Sequence, residues 1–292
     1  MASDFAPAME DLDGVVSRGG KITPAEAARF IERHDIFGGI SRLLAAASRR
    51  GITIAAVEGA DATGKTTIAR AMGRGFGYAV VENQSSTVFR MVFGLPKSKR
   101  MRMVDYSGDS LSGLLFYLVV NCYALEKGVR AAIAKKKKFI ALDSFVLRTL
   151  ASHSCSPKGP GTVRADAKAR RFIGVLLDEY IPILERNRSM ITVFMFASES
   201  IRKEQAVRSS AGNSLDRNEL YARGVSNYLS LCRNALGAKG VRYITLFSTA
   251  SEGVQHRRFG GDERVFVKPP SRRADILAKA AFIASRLRQS KV

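Results

Sequence analysis

Short apolar runs alternate with longer amphipathic stretches along most of the chain. Apolar residues recur at helical spacing in the stretches, whereas the runs have the length of buried strands. The runs lie at 52–56, 77–81, 139–142, 190–196 and 241–246. Strands that are buried on both faces and separated by helices predict an α/β fold with a doubly wound parallel sheet of about five strands.

The segment before the first strand has its own helix signals. Thr23-Pro24-Ala25-Glu26 is a capping box with proline at the first helical position, so a helix is predicted to begin at Thr23. A second helix is predicted from about Asp35 to Arg50, before Gly51. Residues 1–50 are therefore predicted to form an N-terminal helical extension, followed by one domain over 51–292.

The remaining helices are predicted between and after the later strands. They fall at about 109–137, 166–188, 200–236 and 273–287, and Ser209–Ser214 interrupts the third of them. A glycine-rich, basic insertion is predicted at about 250–271. With no internal repeat and no clear linker, the sequence predicts one domain after the extension.

A phosphate-binding pattern lies between the first strand and the following helix. Gly59 and Gly64-Lys65-Thr66 have the P-loop spacing, in which backbone N–H groups and the helix N-terminus surround a polyphosphate. Lys65 is predicted to neutralise the β and γ phosphates, and the Thr66 hydroxyl to ligate Mg²⁺. The alternative is a glycine-rich turn that matches by accident. The predicted ATP-binding residues are Gly59, Ala60, Asp61, Ala62, Thr63, Gly64, Lys65, Thr66 and Thr67.

Two further candidate groups follow strands three and four. Ligands bind at the carboxyl ends of parallel strands, which is where Asp143 and Ser198-Glu199 lie. Asp143 is predicted to hold Mg²⁺ or to orient the acceptor, and its alternative role is a helix N-cap. Arg202 and Arg208 are predicted to be catalytic cations on a lid over about 200–217. The alternative is a solvated helix with surface ion pairs.

Composition narrows the class of protein. The 292 residues are 46% hydrophobic, which predicts a well-buried core. The three cysteines are far apart, so they predict neither a disulfide framework nor a metal cluster. The acidic N-terminus lacks a leader pattern, and the longest apolar stretch, Leu111–Leu125, is too short to span a bilayer. These features predict a cytoplasmic protein with no membrane partner.

The net charge of +21 admits two interpretations. Basic runs at Lys97–Arg102, at Lys135–Lys138 and at Arg257-Arg258 could flank a nucleic-acid track leading to the acceptor pocket. They could instead form a solvated surface and a field that gathers phosphorylated substrates. Because aromatic residues are not interleaved with these runs, nucleic acid is predicted to bind only weakly.

In motif order, the chain resembles the thymidylate kinase-like branch of the P-loop nucleoside monophosphate kinases. Glu58–Thr67 resembles the opening motif, Leu114-Leu115-Phe116 the Leu-Leu-Phe segment, and Ser198–Arg208 the start of the lid. The resemblance implies that Asp61 contacts the acceptor sugar and that Phe116 stacks on its base. As a helical aromatic residue, Phe116 is equally consistent with a position in the core.

The acceptor site departs from the pattern of that family. Ser144 and Val120 stand where the family has arginines that grip the acceptor. Arg148 and Arg90 are predicted to substitute for them, so the acceptor-binding residues are Asp61, Arg90, Phe116 and Arg148. The departures leave the acceptor's identity open.

The resemblance implies an ATP- and Mg²⁺-dependent phosphotransferase acting on a small nucleotide or nucleoside-like acceptor. One alternative is a nucleic-acid-associated P-loop protein or polynucleotide 5′-kinase. Another is a kinase homologue that binds ATP without transferring phosphate. A homodimer is left open.

Overall fold

The central strand, β1 (Thr53–Gly59), carries the P-loop at its carboxyl end. The computed structural model describes residues 4–17, 22–60, 62–82, 111–155, 167–208, 219–249, 262–267 and 272–289. The other strands are β2 (Ala79–Val81), β3 (Phe139–Asp143), β4 (Met190–Ala197), β5 (Tyr243–Thr249) and β6 (Asp262–Val267). All the strand pairs are parallel, in the order β2-β3-β1-β4-β5-β6. The predicted fold class is confirmed.

Most of the helices match predicted ones, whereas those at Ala6–Ser17 and Val146–Ser154 were not predicted. Before β1 come α1 (Ala6–Ser17), α2 (Pro24–Arg33) and α3 (Ile36–Arg49). The later helices are α4 (Lys65–Phe76), α5 (Leu111–Ala134), α6 (Val146–Ser154), α7 (Ala167–Arg186), α8 (Glu199–Arg208), α9 (Glu219–Ala238) and α10 (Arg272–Gln289). The capping box at Thr23 and Glu26 is present, so local chemistry alone defines the start of α2.

Side chains of β1 alternate between two hydrophobic clusters, one on each face of the sheet. Ile54 and Ala56 join the larger cluster, whereas Ala55 and Val57 join the cluster under α4 and α10. Each face is therefore covered by helices. This double burial explains why the strand sequence is a continuous apolar run.

The predicted N-terminal extension packs into the main core. Phe5, Ile36 and Ile40 are fully buried in the same hydrophobic cluster as Phe116. The Ser189 hydroxyl, just before β4, donates to the Leu44 carbonyl at 2.9 Å. Helices α1 to α3 therefore complete one face of the sheet.

A sixth strand lies inside the segment predicted as a basic insertion. β6 pairs with β5 from Ile244↔Asp262 to Thr249↔Val267. The sequence prediction of about five strands missed it because an edge strand has one partner, and only Val265-Phe266-Val267 forms an apolar run. The other predicted features of 250–271 fall outside the described residues.

No helix in the described part of the chain combines the length and the apolar character needed to cross a membrane.

Candidate active site

The P-loop backbone contains left-handed turns. Ala62 has φ 58° and Gly64 has φ 86°, and backbone of this kind forms anion-binding concavities. Gly59 is required by close approach, because a Cβ there would lie 2.7 Å from the Met195 carbonyl oxygen. Thr63 Oγ1 and Lys65 Nζ each donate to the Ala60 carbonyl at 2.8 Å. The loop is therefore pre-shaped at the N-terminus of α4, where the helix dipole favours an anion.

Thr66 and Asp143 meet beside this loop. The strands β1 and β3 are neighbours with Val57 opposite Asp143, so Asp143 leaves the sheet next to the P-loop. The Thr66 hydroxyl donates to Asp143 Oδ2 at 2.6 Å, and Asp143 is buried. The N-cap residue of α6 is Phe145, so Asp143 does not cap that helix.

These two side chains fit a Mg²⁺ site that is completed by substrate oxygens. Mg²⁺ in phosphoryl-transfer sites takes one or two protein oxygens and several from phosphate and water. No group of three or more His, Cys, Asp or Glu that could hold a metal ion occurs among the described residues. A hydroxyl with one carboxylate beside a P-loop therefore suits a metal that arrives with its nucleotide.

Ser144 holds a strained backbone conformation immediately after Asp143. Its φ is 66°, which non-glycine residues adopt at a cost of about 1 kcal/mol or more. The Ser144 N–H donates to the Val57 carbonyl at 3.1 Å, which extends the pairing of β1 and β3 past Asp143. This bond fixes the direction in which the chain leaves Asp143.

Glu58 is a buried carboxyl group within β1. The sequence analysis named it only as part of the P-loop motif and predicted no role for it. It accepts the Arg148 backbone N–H at 3.0 Å, and a second hydrogen bond comes from the Phe145 backbone. Burial raises the pKa of Glu58 to about 7, against the opposing effects of these hydrogen bonds and of Arg148 and Lys65. Glu58 thus ties the first turn of α6 to the strand that carries the P-loop.

Arg148 lies on α6 behind Glu58. Its guanidinium donates to Ser152 Oγ and lies over the Tyr221 ring at 5.9 Å from the centroid. The side chain is half-buried between α6 and α9. The structure places this predicted acceptor-binding residue near the carboxyl end of β1.

Arg202 is held by contacts at both ends of the predicted lid. It donates from Nε to the Ala197 carbonyl at 3.3 Å and from Nη2 to the Glu219 carboxylate on α9. Its Nη1 is buried with no hydrogen-bond partner, as far as the described residues extend. The side chain of the other predicted lid cation, Arg208, lies outside the described residues, as does 209–218.

A small cleft that opens to solvent adjoins the P-loop. Its walls come from the loop, α4, β4, α8 and α10. They are formed by Thr63, Gly64, Thr67, Ile68, Met195, Gln205, Asp275, Ile276 and Lys279. Asp275 and Lys279 form a largely buried ion pair. The predicted ATP-binding residues Thr63, Gly64 and Thr67 therefore share one cavity.

Of the four predicted acceptor-binding residues, the structure describes Phe116 and Arg148. Phe116 is 1% exposed within the core and contacts the edge of Tyr117 at 5.3 Å between centroids. A base can stack on Phe116 only where its ring is uncovered, so the stacking role stays a prediction. Asp61 and Arg90 lie outside the described residues.

Sequence reasoning assigned no site role to Glu58, Glu219, Gln205 or the Asp275–Lys279 pair. Glu58 has a visible signal, since an acidic residue stands within the otherwise apolar run of β1. The others lie on amphipathic helices, where polar residues are ordinary. Their position follows only from tertiary packing.

Comparisons with known proteins give structural neighbours only. No protein-family model matches the chain, and no curated protein matches it significantly. Among solved structures, it is similar to shikimate kinase from Acinetobacter baumannii in complex with shikimate. That match has 12% identity and a TM-score of 0.38, and covers 82% of this chain and 96% of the other.

A second solved structure is the YorR protein from Bacillus subtilis in complex with phosphorylated GDP. It shares 13% identity with a TM-score of 0.33, and the match covers 81% of this chain and 98% of that one. Similarity at this level assigns no substrate. The resemblance to the thymidylate kinase-like branch stays a prediction.

Proposed function

We propose that the protein is an ATP- and Mg²⁺-dependent phosphotransferase that moves the γ-phosphate of ATP to a nucleotide or nucleoside-like acceptor. The observation that carries this proposal is the 2.6 Å contact between Thr66 and Asp143 beside a pre-shaped P-loop. A loop that matched by accident has no reason to meet a buried carboxylate from the neighbouring strand.

Lys65, Thr66 and Asp143 each have a role in this chemistry. Lys65, at the N-terminus of α4, neutralises phosphate charge together with the loop N–H groups. Thr66 and Asp143 are the residues that would hold Mg²⁺, which offsets the charge that develops on the transferring group. The open cleft lined by Thr67 and Gln205 adjoins the phosphate-binding loop.

Transfer needs only positioning and charge stabilisation. An acceptor oxygen forms a bond to the γ-phosphorus while the bond from that phosphorus to the bridging oxygen breaks, and ADP leaves with the electron pair. The acceptor proton passes to solvent or to a nearby carboxylate. Arg202 is proposed to present its guanidinium to the transferring phosphoryl group, because α8 faces the loop through Gln205.

The nucleotide-like acceptor rests on the sequence resemblance. Arg148 is proposed to bind the acceptor, and Glu58 holds the α6 turn that carries Arg148 in place. Asp61, Arg90 and Phe116 remain proposed acceptor contacts.

The test is a turnover and thermal-shift screen of nucleotides and nucleosides with ATP and Mg²⁺. Thr66→Val removes the hydroxyl and keeps the side-chain shape. Thr53→Val is the matched control, because Thr53 begins β1 at the end opposite the P-loop. We expect an acceptor-dependent release of ADP that Thr66→Val reduces at least about tenfold and Thr53→Val leaves unchanged.

Two outcomes would contradict the proposal. ATP binding without transfer to any acceptor would favour the non-catalytic homologue. Phosphate that appears on the 5′ end of an oligonucleotide, and on no small molecule, would favour the polynucleotide kinase.

A further inference from the structure

The helices that precede strands β1, β3, β4 and β5 all end at the edge of the sheet opposite the P-loop. Strand register places these helix ends side by side, since Thr53 pairs with Phe139, Ile54 with Met190, and Thr192 with Tyr243. The chain therefore enters four neighbouring strands along one line. We call the exposed basic residues on this line the amino-edge surface.

The amino-edge surface is strongly cationic. All of its members are exposed: Arg49, Arg50, Lys135, Lys136, Lys137, Lys138, Arg186, Arg188, Lys239 and Arg242. Glu185 is the acidic residue among the described helix ends that lead into these four strands. These ten residues account for much of the net charge of +21.

Backbone and side-chain contacts make this surface continuous. Lys138 Nζ donates to the Arg50 carbonyl at 3.1 Å, and the Lys138 carbonyl accepts the Thr53 N–H at 2.9 Å. The Ile54 N–H donates to the Ser189 carbonyl, next to Arg188, at 2.7 Å. From β3 to β5 the line crosses three strand spacings, or about 14 Å. Arg74 and Arg288, at the ends of α4 and α10, extend it around the other face.

Helix dipoles explain part of this pattern, because cations are favourable at helix C-termini. They do not explain why these cations have no ion-pair partner within the described part of the chain. Elsewhere Arg42, Arg70, Arg130, Arg202 and Lys279 each pair with a carboxylate. None of the ten amino-edge residues forms an ion pair with another described residue. Ten exposed cations at one edge, unpaired as far as the structure is described, favour a polyanionic partner.

We propose that the amino-edge surface binds the phosphate backbone of duplex nucleic acid without sequence preference. Phosphate contacts alone are sufficient for binding of this kind. Single strands are disfavoured because the neighbouring aromatic residues Phe139 and Tyr243 are not exposed for base stacking. A membrane surface is disfavoured because the exposed large apolar residues, Val175, Leu220, Leu231 and Leu277, lie outside it.

This surface differs from the nucleic-acid track that the sequence suggested. Lys135–Lys138 precedes β3, whereas Asp143 and the P-loop lie at the opposite end of the strands. Lys135–Lys138 therefore lies away from the P-loop side of the sheet. The interpretation in which this run flanks a track to the acceptor pocket is wrong. Lys97–Arg102 and Arg257-Arg258 lie outside the described residues. The proposed duplex site is separate from phosphoryl transfer.

The first test compares two charge reversals on one helix. Arg186→Glu/Arg188→Glu changes the amino-edge surface at the end of α7, where Arg188 follows the last turn. Arg170→Glu/Arg171→Glu makes the same change of charge near the start of α7, about 22 Å away along the helix. Fluorescence anisotropy with a labelled duplex of about 20 base pairs gives affinities across a salt titration.

We expect the wild-type protein to bind with micromolar affinity near 50 mM salt and to lose detectable binding near physiological salt, as about six contacts would imply. The amino-edge variant should bind about 10–100-fold more weakly near 50 mM salt, with a slope of log K against log salt reduced by about 2. The control variant should change affinity by less than about threefold, because its charges lie outside the amino-edge surface and about 22 Å away along α7, more than one Debye length near 50 mM salt. Lys65→Ala should keep duplex binding.

A second variant pair and a vesicle-binding measurement complete the test. Lys135→Glu/Lys137→Glu repeats the test at the end of α5, in case the first variant fails to fold. Equal losses in amino-edge and control variants, or no wild-type binding near 50 mM salt, would overturn the proposal. Stronger binding to vesicles containing phosphatidylserine, lost in the same variants, would replace nucleic acid by a membrane.

Discussion

At the scale of single residues, the candidate site depends on a few contacts between neighbouring strands and loops. Thr66 and Asp143 are far apart in sequence, and the parallel pairing of β1 with β3 brings them to 2.6 Å. The sequence predicted both residues, because each follows a strand at the carboxyl edge of the sheet. The sequence did not predict the direct hydrogen bond between them, which the structure shows.

Asp143→Asn tests this contact. The amide keeps the size of the side chain and loses the negative charge that would attract Mg²⁺. We expect the Mg²⁺ concentration for half-maximal turnover to rise about 10–100-fold, with little change in the melting temperature. A Mg²⁺ titration of turnover measures this directly, and an unchanged titration curve would remove Asp143 from the metal site.

Glu58 gives a prediction for pH dependence. A pKa of about 7 in the folded protein exceeds the ordinary value of 4.5, so the folded state binds the proton more tightly. This contribution to stability is complete below about pH 4.5 and is lost as the pH rises through about 7. The difference in pKa corresponds to about 3 kcal/mol.

Glu58→Gln should therefore remove this part of the pH dependence. The amide resembles the neutral carboxyl group, so the variant should gain stability relative to wild type as the pH rises from about 5 to 8. Urea unfolding at several pH values measures the difference. Glu185→Gln, at an exposed position, is the matched control and should follow the wild-type curve. Parallel curves for wild type and Glu58→Gln would show that Glu58 ionises normally.

At the scale of elements, the attachment of helix α8 is the feature least visible in sequence. Buried Arg202 joins α8 to α9 through Glu219, whereas exposed Glu199 pairs with Lys203 and Arg223. Both glutamates look alike in the sequence, as charges on amphipathic helices. Only burial separates them.

Glu219→Ala should therefore cost more than Glu199→Ala. Removing Glu219 leaves the Arg202 guanidinium buried without its carboxylate, which should reduce the free energy of unfolding by about 2–3 kcal/mol. Glu199→Ala breaks only surface pairs and should change it by less than about 1 kcal/mol. Urea unfolding of the two variants measures both values, and equal values would mean that Arg202 does not depend on Glu219.

Elements with strong local signals were predictable. The capping box defines α2, the continuous apolar runs define β1 and β4, and Gly64 with Lys65 defines the start of α4. β6 was missed because an edge strand needs little apolar pattern. Glu58 and Glu219 could be read only as motif or surface residues, because their partners come from distant parts of the chain.

At the scale of the whole molecule, the N-terminal helices belong to the same core as the sheet. Ile40 on α3 is fully buried in the cluster that contains Phe116, and Leu43 on the same helix is only partly buried. The sequence predicted these helices as an extension because they precede the P-loop strand. Their burial follows from packing on α5 and α7.

Ile40→Ala should consequently destabilise the entire protein. We expect a loss of about 2–5 kcal/mol in the free energy of unfolding, within one cooperative transition. Leu43→Ala is the control on the same helix and should cost less. Two separate transitions in the wild-type protein, with only one affected by Ile40→Ala, would show that residues 1–50 fold as an independent unit.

Phosphoryl transfer at the P-loop is tested by the turnover of Lys65→Ala with ATP, Mg²⁺ and the acceptor found by screening. Lys65 lies at the P-loop and α4 junction and donates to Ala60, so its loss should leave the fold intact. Lys127→Ala is the control, because Lys127 is exposed on α5 and lies over the Tyr123 ring. We expect at least about a 100-fold loss of turnover for Lys65→Ala and none for Lys127→Ala, with similar melting temperatures. Wild-type turnover in a folded Lys65→Ala protein would contradict phosphoryl transfer at the P-loop.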